Sequence, residues 1–235
     1  MLPLNKPGAV CPNCGEALDE YGLKPCRCKR YATAFPFRER LIRDGTILRI
    51  DPGKTFDSMT RFDPADAEFL RGYAIAFPSK QKGLFLYGEK GTGKTTAACC
   101  IANALEADRF ALILLTPGMI TEPRISEDGA EERKRLMRAA AFFPLVIIDD
   151  LGTERSSDYA SEQMFGFVNA RYSERLPIII TTNLTPEELE SIANSDEARA
   201  RVYQRLLELA PVRRAMLKDI RAKVTAEMVW EENPE

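Results

Sequence analysis

Gly88-Glu89-Lys90-Gly91-Thr92-Gly93-Lys94-Thr95 decides how the rest of this chain is read. The stretch has the spacing of a phosphate-binding P-loop, G-x-x-x-x-G-K-[ST]. An apolar run, Leu84-Phe85-Leu86-Tyr87, leads in as a strand, and a helical stretch from Thr96 to Leu105 leads out. Glycines let such a backbone curl until its N–H groups face phosphate oxygens. The first turn of the outgoing helix adds its dipole. The Lys94 ammonium suits the β- and γ-phosphates, and the Thr95 hydroxyl suits Mg²⁺. Gly88, Glu89, Lys90, Gly91, Thr92, Gly93, Lys94, Thr95 and Thr96 are therefore the candidate contacts for a nucleoside triphosphate. The loop does not say what the triphosphate is used for.

The chain has 235 residues and a net charge of −2. That length suits one α/β domain with a small appendage. No apolar run approaches the ~20 residues that span a bilayer. The opening Met1-Leu2-Pro3-Leu4-Asn5-Lys6 lacks the apolar region of a secretory signal. A cytoplasmic location is expected, without membrane partners, and there the six cysteines are not expected to pair as disulfides. Residues 1–55 carry 10 Lys/Arg against 6 Asp/Glu, and residues 199–223 carry 8 against 2. Two basic segments could face nucleic acid, although ordinary solvated charge gives the same counts.

Four of the cysteines come early, as Cys11-Pro12-Asn13-Cys14-Gly15 and Cys26-Arg27-Cys28. Four thiolates are the usual set for a closed tetrahedral zinc site. The chain has no histidine, so a mixed site is excluded. A segment this short cannot build its own core, and metal binding would supply folding energy. Free thiols and a redox pair are the competing readings, the latter without the expected βαβ context. Cys99 and Cys100, among alanines in the helix after the P-loop, read as small buried hydrophobes.

Residues 1–33 thus form an expected zinc module, and 34–55, with Pro36, Gly45, Pro52 and Gly53, an expected linker. Asp63-Pro64-Ala65-Asp66 opens a helix that should end at Phe77, before Pro78. Strands are expected at 83–87, 110–116, 144–149 and 177–182, each a continuous apolar run of the kind buried on both faces. Helices are expected at 94–107, 129–142 and 158–174. A capping box, Thr185-Pro186-Glu187-Glu188, starts another. Alternating β and α elements predict a parallel sheet flanked by helices.

The strand Leu145-Val146-Ile147-Ile148 ends in Asp149-Asp150. Ligands of parallel sheets bind at the carboxyl ends of the strands, beside the P-loop. Asp149 suits Mg²⁺ coordination and Asp150 suits polarising an attacking water. Asn183, after Ile178-Ile179-Ile180-Thr181-Thr182, emerges at the same edge. It either orients water or a γ-phosphate, or forms a turn. Arg201 and Arg205 lie four apart on a helix from about 196 to 209, away from its apolar side of Val202, Leu206 and Leu209. Like charges at that spacing repel mildly, which fits an anionic partner. Solvation, or pairing with Glu197 and Glu208, is the other account.

Together these segments resemble the AAA+ ATPases of the bacterial and phage helicase-loader group, the DnaC/DnaI type, with the IstB ATPases of transposons as relatives. The resemblance covers roughly residues 54–223. It includes Thr55-Phe56-Asp57, Gly83 to the P-loop, Ile101-Ala102-Asn103-Ala104-Leu105 and Ile148-Asp149-Asp150-Leu151-Gly152-Thr153-Glu154. Asn169-Ala170-Arg171-Tyr172, Leu176 to Leu184 and Arg201-Val202-Tyr203-Gln204-Arg205-Leu206 complete it. It implies an AAA+ domain at 56–235 without a full lid, and a sheet with the Asn183 strand between those of the P-loop and Asp149. It implies ATP and Mg²⁺ as cofactors, Asn183 as the sensor residue, and Arg205 as an arginine finger acting on a neighbouring subunit, with Arg201 beside it. Arg221 is a weak candidate for a second sensor. Asp-Asp where typical members carry Asp-Glu implies slow, switch-like hydrolysis.

The expected function is loading of a hexameric replicative helicase in bacterial or phage DNA replication, with binding of single-stranded DNA and self-association through the ATP site. The alternatives are an IstB-type regulator of a transposase on duplex DNA, and a small-molecule phosphotransferase needing no arginine finger.

Overall fold

Leu84 and Leu86 bury toward one side of a sheet and Phe85 toward the other. Successive strand residues point to opposite faces, so a strand covered on both sides must be apolar throughout. The computed structural model describes residues 9–11, 27–43, 47–107, 110, 112–121, 143–152, 157–195 and 197–217. Its strands are β1 (Leu84–Tyr87), β2 (Leu112–Leu115), β3 (Leu145–Leu151), β4 (Ile178–Thr182) and β5 (Val212–Ala215). They pair in the order β2-β3-β4-β1-β5, every pair parallel. β4 lies between the P-loop strand and the Asp149 strand, as the resemblance implies.

One face of the sheet packs on α2 (Pro64–Lys80) and α3 (Lys94–Ala107) through Leu70, Phe77, Ala98, Ile101 and Leu105. Continuing in chain order, α4 is Pro117–Thr121, α5 Asp158–Ser173, α6 Pro186–Ser195 and α7 Glu197–Leu209. The other face packs on α5 and α7 through Met164, Phe167, Val202 and Leu206. Apart from Ala98, each of these buried side chains stabilises by about 1.5–3 kcal/mol. Two helix starts form as their sequences require. Asp63 caps α2, its carboxylate accepting from the Ala65 N–H at 2.9 Å. Thr185 and Glu188 bond reciprocally at 2.8 and 3.2 Å ahead of α6. The expected helix at 129–142 lies outside the described residues.

Three expectations need correction. The helix opened by Asp63 does not stop at Phe77 but runs to Lys80, with Pro78 inside it. Proline disturbs the turn before it, and the residues behind still close one more turn, ended by Gln81 at φ 44°. The stretch 34–55 is no plain linker. α1 (Arg27–Arg43) runs through Pro36 and across the 33/34 boundary. Leu41, Ile47 and Ile50 are buried, and Leu48 donates its N–H to the Leu114 carbonyl at 2.8 Å, covering the β2 edge. Arg38 forms a two-point ion pair with Glu106 at the end of α3, at 2.8 and 3.1 Å. Finally, β5 was unforeseen, because Arg213 and Arg214 hide its pattern. Arg214 lays its guanidinium over Phe69 at 5.1 Å and pairs with Asp66 at 2.6 Å.

Among the described residues no helix is long and apolar enough to cross a membrane.

Candidate nucleotide site

The carboxyl ends of β1, β3 and β4 open into one pocket of about 220 Å³, lined by P-loop residues together with Asp149, Asp150, Thr181 and Asn183. Lys90, Gly91, Gly93, Lys94, Thr95 and Thr96 are the P-loop residues in that lining. Gly91 and Gly93 adopt φ 99° and 87°, which side-chain-bearing residues avoid. Gly88, at φ 143°, is required for a further reason: a Cβ there would meet the Met216 carbonyl oxygen at 2.1 Å. Gly88 and Glu89 contribute carbonyls rather than pocket wall, accepting from Lys94 Nζ at 2.8 and 2.7 Å. Thr92 is buried and donates its hydroxyl to the Glu89 carbonyl at 2.9 Å.

Thr95 Oγ1 lies 2.8 and 3.1 Å from the two carboxylate oxygens of Asp149. A hydroxyl and a carboxylate side by side are hard oxygen donors, the set Mg²⁺ takes when it also binds phosphate. The ammonium of Lys94 sits at the same wall, so charge and donor chemistry both fit a Mg²⁺-bound triphosphate. Asp150 accepts from Asn183 Nδ2 at 3.2 Å. Asn183 is thereby brought to the acids, beyond the turn-forming role its sequence position also allows.

Thr181 is the site residue that sequence reasoning missed. Its hydroxyl donates to Asp149 Oδ1 at 2.6 Å and accepts from the Asp150 N–H at 2.9 Å. The only signal was a threonine in an otherwise isoleucine strand, next to another threonine.

Arg201 and Arg205 lie elsewhere. Arg205 faces a groove of about 660 Å³ bordered by Gly83, Pro177 and Pro211. Those residues precede β1, β4 and β5, so the groove is at the amino edge of the sheet. The Arg205 guanidinium sits 4.7 Å from the Phe165 ring and 5.3 Å from the Tyr172 ring. Glu208 is engaged by Tyr172, whose hydroxyl donates to it at 2.7 Å and is held more weakly acidic by that bond. Arg201 is exposed on α7.

Cys99 and Cys100 are buried free thiols. Burial pushes Cys100 up to about 11, and burial followed by the Asp149 charge pushes Cys99 up as well. Both match the reading as inert hydrophobes. Of the four early cysteines, Cys11 is buried. Cys14 and Cys26, and the side chain of Cys28, lie outside the described residues.

A parallel sheet with a central Asn-bearing strand, a P-loop and a Thr95–Asp149 pair is the arrangement of a P-loop nucleotide-binding domain with the AAA+ fold. The AAA domain of FIGL-1 in complex with ADP superimposes with a TM-score of 0.53 at 17% identity, covering 84% of this chain and 68% of that one. The chain belongs to the family of IstB-like ATP binding proteins, which matches residues 54–223. It is 28% identical over 207 residues to the replicative helicase loader DnaI of Bacillus subtilis (strain 168), covering 80% of this chain. It spans 65% of that relative's length. A crystal structure of DnaI superimposes with a TM-score of 0.55 at 22% identity, covering 69% of this chain and 89% of that one.

Proposed function

We propose that this protein is an ATP-dependent loader of a replicative DNA helicase, acting in the cytoplasm of a bacterium or phage-infected cell. The observation that carries the reading is the assembled pocket, with Lys94, Thr95, Asp149, Asp150 and Asn183 on one sheet edge. The similarity to a helicase loader over four fifths of the chain supports the specific role. In this reading Lys94 and the P-loop amides bind the phosphates of ATP, and Thr95 and Asp149 hold Mg²⁺. Asp150 and Asn183 orient the attacking water. Mg²⁺ bound there offsets charge on the phosphates.

Arg205 completes the site of a second copy. β1 alone separates the two sheet edges by about 13 Å, at ~3.3 Å per residue, so Arg205 cannot meet its own P-loop. Contacts of one edge with the opposite edge of the next copy are head-to-tail and build rings or open rows. Arg201, about 6 Å along α7, is its neighbour in that interface. Assembly is thus tied to ATP, and single-stranded DNA is held by the assembled copies. Cys11, Cys14, Cys26 and Cys28 bind one structural Zn²⁺, and α1 carries that module to the core through Leu41 and the Arg38–Glu106 pair.

Purified protein should bind a hexameric replicative helicase in an ATP-dependent manner and prefer single-stranded to duplex DNA, with affinity falling as salt rises. Preference for duplex DNA and stimulation of a transposase would instead establish an IstB-type regulator. Binding of the helicase neither with nor without ATP refutes the loader role.

A further inference from the structure

We propose that Thr181 is a positioning residue that sets the two acids of the site relative to each other. This rests on the ATPase reading above and adds a residue to it. Along β3 and β4 the register runs Ile147↔Ile179 and Ile148↔Ile180, then jumps to Leu151↔Thr182. Three steps on β3 are matched by two on β4, so β3 carries one extra residue. This is a β-bulge, and bulges re-aim side chains beside functional sites. Asp149 and Asp150 together stand opposite Thr181.

The bulge answers a geometric problem. In an unbroken strand two adjacent acids point to opposite faces. Here both line one pocket. The turn that achieves this puts Asp150 at φ 63°, a left-handed conformation in which Asp and Asn are enriched among residues with side chains. It also takes the Asp150 N–H out of the regular ladder. Thr181 supplies the replacement acceptor at 2.9 Å and spends its one proton on Asp149 at 2.6 Å. A hydroxyl has one proton to give, and the N–H can only donate, so the direction of both bonds is fixed. Thr181 is 1% exposed, so water does not compete for either partner.

The result is a continuous chain of hydrogen bonds from Thr95 through Asp149, Thr181 and Asp150 to Asn183. Thr181 touches neither phosphate nor metal in this arrangement. It acts on both through the acids: it fixes the rotation of the Asp149 carboxylate and the backbone that aims Asp150. Valine has the same shape without the hydroxyl, and serine keeps the hydroxyl.

The test compares Thr181→Val with Thr181→Ser in the full chain, by two measurements. The first is amide hydrogen exchange at Asp150, which needs no nucleotide. Thr181→Val should speed it by about tenfold or more, and Thr181→Ser should leave it near wild type. The second is the Mg²⁺ dependence of ATP binding and hydrolysis. Loss of a partner behind a metal ligand typically costs about 10–100-fold. Thr181→Val should raise the half-maximal Mg²⁺ concentration by that factor and lower kcat, with Mg²⁺-free nucleotide binding unchanged and the serine variant restoring both. Loss of stability alone would not move the Mg²⁺ dependence of the folded fraction. Wild-type exchange at Asp150 together with wild-type Mg²⁺ dependence in Thr181→Val overturns the proposal. If the valine variant does not fold, Thr181→Ala, which also lacks both the donor and the acceptor, takes its place, and wild-type values there overturn it equally. A wild-type protein that does not hydrolyse ATP refutes the ATPase reading instead, and the Asp150 exchange rate still decides the role of Thr181.

Discussion

The two edges of the sheet are built from opposite materials. At the carboxyl edge, polar groups converge on open space: Lys94, Thr95, Asp149, Asp150 and Asn183 all line one pocket. At the amino edge, a comparable cation is buried for support. Arg171 is fully buried and donates to the Phe143 carbonyl at 2.8 Å and to the Pro177 carbonyl, just before β3 and β4 begin. Burial pushes its pKa down to about 9, which leaves it charged at neutral pH. Arg205 stands on that same edge yet is held by two aromatic faces. The contrast separates a cation tied to backbone carbonyls of its own fold from one laid against aromatic rings beside an open groove.

Substitutions at each edge sharpen this division. Arg205→Ala should have the largest effect, lowering ATP hydrolysis by about 10³-fold, the low end for loss of an arginine finger. ATP affinity measured on dilute monomer should be unchanged, and equal hydrolysis rates in the variant and wild type would break the two-edge assignment. Lys94→Ala should lower ATP affinity by about 100-fold or more, read by titration calorimetry, as for loss of a key charged donor. Arg171→Met should act on folding instead. It leaves two buried carbonyls without a donor and should cost about 3 kcal/mol in denaturant unfolding, with kcat per folded molecule unchanged.

The smallest effect is a pH dependence. A folded thiol raised above its unfolded value holds its proton longer in the folded state. The contribution of Cys100 is fully present below the ordinary thiol value of 9.0 and is lost as pH rises through about 11. Stability should therefore decline between those values, and Cys100→Ala should flatten that decline in a pH series of thermal melts.

What could be read from the sequence follows the same division. The strands β1, β3 and β4 are legible because both faces are covered, and continuous burial leaves a continuous apolar run. The P-loop is legible because phosphate binding fixes residue types at fixed spacing. β5 is hidden because Arg213 is exposed and Arg214 lays its guanidinium over Phe69, so neither looks like strand interior. α1 is hidden because Pro36 reads as a break, while Leu41 and the ion pair of Arg38 hold the helix from outside its own sequence. Thr181 is hidden for a deeper reason. Its importance comes from a one-residue offset between two strands, and an offset belongs to the pairing, not to either strand.

The backbone of Asp150 has a practical consequence. At most strand positions glycine is a poor guest, but at φ 63° it is a comfortable one. Asp150→Gly should remove the carboxylate without straining the fold. A protein of that kind keeps its P-loop and its Thr95–Asp149 pair while losing the group assigned to the water. It offers a way to stall the cycle with nucleotide still bound, and so to capture whatever the bound form holds before it lets go.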